Sequence, residues 1–154
     1  MFFPKISEAI NMKIPVLLVS ILFLFVHCQK QLTPIEISAE DFHLAQDELT
    51  AVMVHDIFSP PLASRVYAYS NVAAYEILAQ TKDYPYSSYA SVLKDFNGIT
   101  PVKDSLVNHK LSALIAFLEV GKNLIFSVDR MSDYIDGLSQ KWMEQNSKVY
   151  SASY

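Results

Sequence analysis

The sequence predicts an all-α protein. Long stretches place apolar residues at the three- and four-residue spacing of a helix, and none shows the sustained alternation that a half-buried strand requires. The chain contains only 3 Gly among its 154 residues, so few flexible positions interrupt these stretches. We expect an N-terminal signal helix followed by about four to five further helices.

The composition argues against a disordered chain, a nucleic-acid-binding protein and a nucleotide-binding glycine loop. Hydrophobic residues make up 51% of the chain and charged residues 18%, whereas disorder requires low hydrophobicity and high charge. The net charge of −4 provides no basic face for nucleic acid, so no nucleic-acid partner is expected. The single Cys excludes an internal disulfide, and neither GxGxxG nor GxxxxGK(S/T) occurs.

Residues 1–28 are interpreted as an export signal. The run 14–26 (IPVLLVSILFLFV) carries no charge, but it is shorter than the ~20 apolar residues that a membrane span needs. Lys13 precedes the run, as the basic start of a secretory signal does. The true start is either Met1 or Met12, and Met12 gives the more compact signal.

Cys28 stands where a bacterial lipoprotein signal places its acylated Cys, and it is the predicted lipidation site. The protein is then exported to the cell envelope and anchored to the membrane through lipid, with residues 29–37 as a tether. His27 stands where a small residue is usual. Cleavage elsewhere, an uncleaved anchor and a buried structural helix therefore remain alternatives.

Capping residues predict where the first two helices begin. Ser38, with Asp41 three residues later, is a variant of the capping box and predicts a helix over 39–56. Ser59 is expected to cap a second helix that runs to about residue 80, and two prolines are tolerated in its first turn.

The second helix is predicted to be buried on more than half of its surface. Its apolar stripe would then surround Arg65, which needs a partner if it is buried. Glu76 is about three turns further along the same helix, which is too far for a direct ion pair with Arg65. We therefore expect Arg65 to form a structural ion pair with another helix. The stripe consists of Leu62, Val66, Tyr69, Ala73 and Ile77.

Three further helices follow. A short one is predicted over 88–96, ending at the left-handed stop signal before Gly98. The next starts near residue 104 and contains Gly121, which marks either a weak point or a close contact. The last begins after Ser127 and continues to about residue 145.

Candidate metal ligands and nucleophiles are sparse. His43 and Asp47 lie four apart on a helix, and His55 and Asp56 adjoin the next break. A zinc site needs three or four convergent ligands, so exposed polar residues are the preferred interpretation. The candidate serines at 59, 64 and 70 are not in a GxSxG elbow.

A set of tyrosines has two interpretations. They could line a groove for a sugar or another ligand, but amphipathic packing with the hydroxyls at the edge is the preferred alternative. The set consists of Tyr67, Tyr69, Tyr75, Tyr84, Tyr86 and Tyr89.

The stretch VMVHDIFSPPLASRVYAYSNVAAYEILA resembles the N-terminal helical region of exported bacterial proteins of the PAP2 superfamily. The similarity is to the vanadium-dependent haloperoxidase-like and acid phosphatase-like branch. FNGITP and LIAFLEVGKNLIFSVDRM are similar to the same group and follow in the expected order, so the resemblance extends from Leu49 to Trp142. It implies a partial helical bundle of that type over residues 38–154.

The resemblance also implies where chemistry would lie. The family's phosphate or vanadate site uses K-x6-R-P, P-S-G-H and S-R-x5-H-x3-D, and none of them occurs here. Ser64 and Arg65 begin the third pattern, but Asn71 and Tyr75 stand at its His and Asp positions. We expect no catalytic residue, metal ligand or cofactor in this chain, and vanadate only in a full-length family member.

The chain is therefore expected to be the N-terminal part of an exported phosphatase or haloperoxidase-like enzyme, inactive alone because the oxyanion-binding cations are missing. Its unpaired helix faces predict marginal stability, self-association or association with a missing C-terminal half. The alternative is a small non-enzymatic helical envelope lipoprotein that binds a partner through an apolar or tyrosine-rich surface.

Overall fold

The computed structural model describes residues 33–81, 85–101 and 104–154. These residues form four α-helices and no strand, which confirms the all-α prediction. The helices are α1 (Ala39–His55), α2 (Pro60–Leu78), α3 (His109–Lys122) and α4 (Val128–Ser153), and a 3-10 helix (Tyr89–Ser91) lies between α2 and α3. The predicted signal over 1–28, Cys28 and Tyr84 lie outside the described residues. None of the helices in the described part of the chain is long and apolar enough to cross a membrane.

Helix α3 forms the centre of the fold. It packs most extensively against α2 and also contacts α1 and α4. Its sequence is apolar on nearly every side, which is the pattern of a helix surrounded by other elements. The buried residues of α3 are Leu111, Ala113, Leu114, Ile115, Phe117, Leu118 and Gly121.

Helix α1 begins where its capping residues predict. The Ser38 backbone N–H donates to the Asp41 carboxylate at 2.7 Å, and the Ser38 hydroxyl accepts from the Asp41 backbone N–H, which completes the capping box. Burial alone would raise the pKa of the Asp41 carboxyl, but the hydrogen bonds from Ser38 and the charge of Lys141 lower it overall. Residues 33–37, interpreted as the end of a tether, instead lie against the core, with Ile35 and Ile37 buried.

Helix α2 is less buried than predicted. Two residues of its expected apolar stripe, Leu62 and Tyr69, are exposed, because α2 presents mainly one face to α3. Ser59 occupies the N-cap position, as predicted, but its side chain makes no capping hydrogen bond. The residues of α2 that are buried are Val66, Ser70, Ala74 and Glu76.

The prediction of a helix over 88–96 is wrong, since only Tyr89–Ser91 is helical. Asp95 adopts a left-handed φ of 63°, which ends any helix before residue 96. Gly98, the predicted stop, also has a positive φ of 74°.

Helix α3 starts five residues later than predicted. The Asn108 side chain accepts hydrogen bonds from the backbone N–H groups of Lys110 and Leu111 at 3.1 and 3.2 Å. Asn108 also donates to the Ile35 carbonyl at 2.7 Å, which ties this cap to residues 33–37. Asp104 instead accepts a bond from a backbone N–H two residues later, a turn rather than a helix start.

Gly121 marks a close contact between helices, as one of its two interpretations predicted. A Cβ at this position would lie 2.9 Å from Leu49 Cδ2 and 3.2 Å from Ser70 Oγ.

The last helix is longer than predicted and extends through Ser153, although Asn146 interrupts it with non-helical angles (φ −157°, ψ 90°).

Candidate functional site

One carboxylate joins the end of α1 to the start of α4. Asp56 Oδ2 accepts hydrogen bonds from the backbone N–H groups of Phe126 and Ser127, both at 2.9 Å, and the Ser127 hydroxyl donates to Oδ1. The hydrogen bond from that hydroxyl is the main reason why the pKa of the Asp56 carboxyl is lowered, and the two amide bonds act in the same direction. Asp56 is thus a structural anion at a helix N-terminus rather than a free polar residue.

The residues that partly match the S-R-x5-H-x3-D motif form hydrogen bonds within α2. The Ser64 hydroxyl donates to the Pro60 carbonyl at 2.8 Å, and the Asn71 amide donates to the Tyr67 carbonyl at 2.9 Å. Both bonds reach back one turn along the same helix. Arg65 is exposed between them, so these side chains do not converge on a common anion.

The ion pair predicted for Arg65 is not found. Arg65 is exposed, and across residues 33–81, 85–101 and 104–154 no carboxylate pairs with it. Glu76 is the buried charged residue of α2 instead, with 2% of its surface exposed. Its carboxylate accepts hydrogen bonds from the Ser88 hydroxyl at 2.7 Å and the Tyr89 backbone N–H at 2.6 Å. Glu76 therefore holds the connection between α2 and α3 against α2.

The histidine candidates lie at the surface. His43 and Asp47 are both exposed, and the partner of His43 is Glu40, whose carboxylate lies 3.8 Å from Nδ1 in solvent. His55 is exposed at the end of α1. No three His, Cys, Asp or Glu side chains converge as metal ligands in the described part of the chain.

Three of the predicted tyrosines form one cluster. The ring centroid of Tyr75 lies 4.5 Å from that of Tyr89 and 6.4 Å from that of Tyr86. The Tyr75 hydroxyl donates to the Ser87 carbonyl at 2.9 Å. The cluster therefore packs α2 against the following connection.

The other tyrosines do not join this cluster. The Tyr67 hydroxyl lies 2.6 Å from the Thr50 hydroxyl and so links α2 to α1. Tyr69 is exposed, and Tyr84 lies outside the described residues.

A cavity of about 530 Å³ opens beside the tyrosine cluster. Tyr75, Tyr89 and Asn71 line one part of it, and His43 and Lys110 are the basic side chains in its wall. Most of the remaining wall is apolar, so the cavity can accept an apolar or aromatic group. One lysine and one exposed histidine do not provide the convergent donors that a tetrahedral oxyanion requires.

Comparison with solved structures reveals a relative. The chain matches the crystal structure of the first bacterial vanadium-dependent iodoperoxidase with a TM-score of 0.74 and 45% sequence identity, over 78% of this chain. This match confirms the predicted resemblance to vanadium-dependent haloperoxidase-like proteins. It spans 29% of the length of the iodoperoxidase chain. No family model matches it, and no curated protein does.

The described residues of this haloperoxidase-like chain do not fit vanadate. A tetrahedral oxyanion needs several cationic and hydrogen-bonding groups directed at one point. Arg65 is exposed, Asn71 bonds the backbone of its own helix, and Lys122 is paired with Glu119 at 2.5 Å. These three side chains therefore do not form a vanadate or phosphate site.

The sequence did not reveal the roles of Asp56 and Glu76. Both residues stand within the stretch that carries the family resemblance, but neither belongs to a motif with a chemical meaning. Asp56 binds amides 70 and 71 positions away, and Glu76 binds groups 12 and 13 positions away. No local spacing rule predicts contacts at those separations.

Proposed function

We propose that this chain is the N-terminal helical portion of an exported vanadium haloperoxidase or phosphatase of the PAP2 superfamily. In this proposal the chain supplies framework rather than the reaction site. Two observations support it: the match covers 78% of this chain but 29% of the iodoperoxidase, and the chain contains none of the family's three anion-site motifs. The alternative of a non-enzymatic lipoprotein gains no support from this match.

The physical reason for inactivity alone is electrostatic. Halide oxidation and phosphoryl transfer both develop negative charge that fixed cations and hydrogen-bond donors must stabilise. In the described residues Arg65 is exposed on α2, and Lys122 is paired with Glu119 on α3, so these two cations do not converge on one anion.

The test uses the purified full chain. Vanadate titration followed by 51V NMR is expected to show no saturable binding, and assays of phosphomonoester hydrolysis and iodide oxidation are expected to remain at background. The bacterial iodoperoxidase serves as the positive control for vanadate binding and iodide oxidation. Saturable vanadate binding or turnover by the chain alone would contradict the proposal.

A second test concerns the coding DNA beyond codon 154. An in-frame or frameshifted continuation that encodes K-x6-R-P and P-S-G-H supports the proposal. A stop codon with no remnant of these motifs favours the alternative of a stand-alone helical lipoprotein.

The export part of the proposal rests on residues 1–28, with Cys28 as the lipid attachment site. Cys28→Ala is expected to abolish incorporation of labelled fatty acid and to shift the protein out of the membrane fraction. His27→Ala places a small residue before the Cys and is the matched control, in which lipidation is retained. Unchanged membrane retention and labelling of Cys28→Ala would contradict this assignment.

A further inference from the structure

Four large apolar side chains surround the junction that Asp56 forms. Val54, Ile57, Phe126 and Val128 have 72, 90, 73 and 41% of their surfaces exposed. Each lies within two residues of Asp56 or of an amide that Asp56 binds. These four residues define the Ile57–Phe126 surface. Contiguous exposed apolar residues mark interaction sites, whereas singly scattered ones do not.

The Phe126 part of this surface is held in place by contacts within the chain. Asp56 binds the amides of Phe126 and Ser127 at 2.9 Å, and the Phe58 and Phe126 ring centroids lie 5.0 Å apart. The ring of Phe126 is thus supported on one side while most of it faces solvent. A preorganised apolar group loses little conformational freedom on binding, so this arrangement favours association.

Ile57 provides a second, independent observation. Its φ is +54°, a left-handed conformation that is strained for a β-branched side chain. With 90% of its surface exposed, the side chain gains almost no burial here that offsets this strain. Glycine would adopt the same backbone without strain. Backbone strain at an exposed apolar side chain points to a contact made with another chain or segment.

We propose that the Ile57–Phe126 surface docks an apolar face from the remainder of the haloperoxidase-like domain. This inference rests on the proposed function, because the chain corresponds to 29% of the related iodoperoxidase and the partner is the part that it does not match. Four side chains are too few for a typical stable dimer, which buries about 1,600 Å² in total. Packing within one domain instead adds this surface to a larger continuous interface.

The experiment co-expresses the full chain with an affinity-tagged segment of the iodoperoxidase that comprises the part the chain does not match. The two polypeptides are expected to copurify and to sediment as a 1:1 complex. Ile57→Ser and Phe126→Ser are expected to weaken the complex by at least about tenfold, since each removes an anchor from the interface. Val92→Ser is the matched control, because Val92 is 74% exposed but lies in the connection between α2 and α3.

Ile57→Gly keeps the proposal testable if the serine variants fold poorly. It relieves the left-handed strain, so the variant is expected to melt at or above the wild-type temperature and still to lose the complex. Three results would overturn the proposal: no complex with the wild-type chain, equal binding by the Ile57 and Phe126 variants, or a wild-type homodimer that these variants dissociate. Vanadate binding by the chain alone would instead contradict the proposed function, so the two failures are distinguishable.

Discussion

The Asp56 carboxylate accepts a hydrogen bond from the Ser127 backbone N–H at 2.9 Å across 71 positions of sequence. The Ser127 hydroxyl and the Phe126 amide bind the same carboxylate. Since Asp56 follows α1 and Ser127 precedes α4, this one side chain fixes how two helices meet. It also satisfies backbone donors at the start of α4 that the helix itself leaves unpaired.

The Asp56 interaction makes stability depend on pH. Its carboxyl has a lower pKa in the folded chain than the ~3.9 of an unfolded Asp, so ionisation favours folding. This contribution is fully present above the unfolded pKa and is lost as the pH falls through the folded pKa. Urea unfolding followed by circular dichroism is expected to show a steeper loss of stability for wild type than for Asp56→Asn between pH 5 and pH 3. Parallel pH profiles of the two proteins would refute this role.

Gly121→Ala is expected to destabilise the chain. The added Cβ would lie 2.9 Å from Leu49 Cδ2, and overpacking of this kind costs about 1–3 kcal/mol, more than the ~1 kcal/mol that alanine contributes to a helix. Gly137→Ala is the matched control: its Cβ meets nothing within 4 Å, so it is expected to stabilise α4 by about 0.5–1 kcal/mol. Chemical denaturation measures both values. Changes of stability in the same direction for both substitutions would contradict close packing at Gly121.

Ser70→Ala is expected to be neutral or to stabilise the chain by up to about 1 kcal/mol. The Ser70 hydroxyl is fully buried and has no hydrogen-bond partner in the described part of the chain. Burying an unsatisfied polar group destabilises the folded state through its desolvation, and the substitution removes this cost. The methyl group of alanine still fills most of the space. The free energy of unfolding measures the effect, with Ser64→Ala as an exposed control on the same helix. A loss of more than ~1 kcal/mol would indicate that the hydroxyl has a partner.

Glu76→Ala is expected to destabilise the chain by about 1–3 kcal/mol, because the Ser88 hydroxyl and the Tyr89 amide lose their acceptor. Glu76→Gln retains one carbonyl oxygen as an acceptor, so it is expected to destabilise the chain less than Glu76→Ala does. Proteolysis of the connection between α2 and α3 should accelerate in the same order, since Glu76 holds it against α2. Equal protease resistance in both variants would show that other contacts hold this connection.

The starts of α1 and α2 were predictable because they depend on neighbours a few residues apart. The Ser38–Asp41 box spans three positions, and Ser59 stands at the N-cap directly before two prolines. Two wrong predictions, the helix over 88–96 and the start of α3 near residue 104, also have local causes. Asp95 takes a left-handed conformation that its type permits but does not require, and Asn108 displaced the expected start near 104 by capping α3 more effectively.

The site residues were less predictable. The resemblance identified the family and the absence of its motifs, and the tyrosine set contained three members that do cluster. An ion pair was expected for Arg65, but Arg65 is exposed and Glu76 is the buried charged residue, because the orientation of α2 against α3 decides which side chain is covered.

By itself, then, the sequence determined the helical class, the approximate extents of α1 and α2, and the family. These follow from apolar periodicity, from capping over three or four residues, and from a linear pattern. Tertiary structure alone decided that Asp56 joins α1 to α4, that Leu49 and Ser70 crowd Gly121, and that Ile57 keeps a strained, exposed side chain. The reason is that these contacts join residues distant in sequence, and their partners are set by how the helices pack.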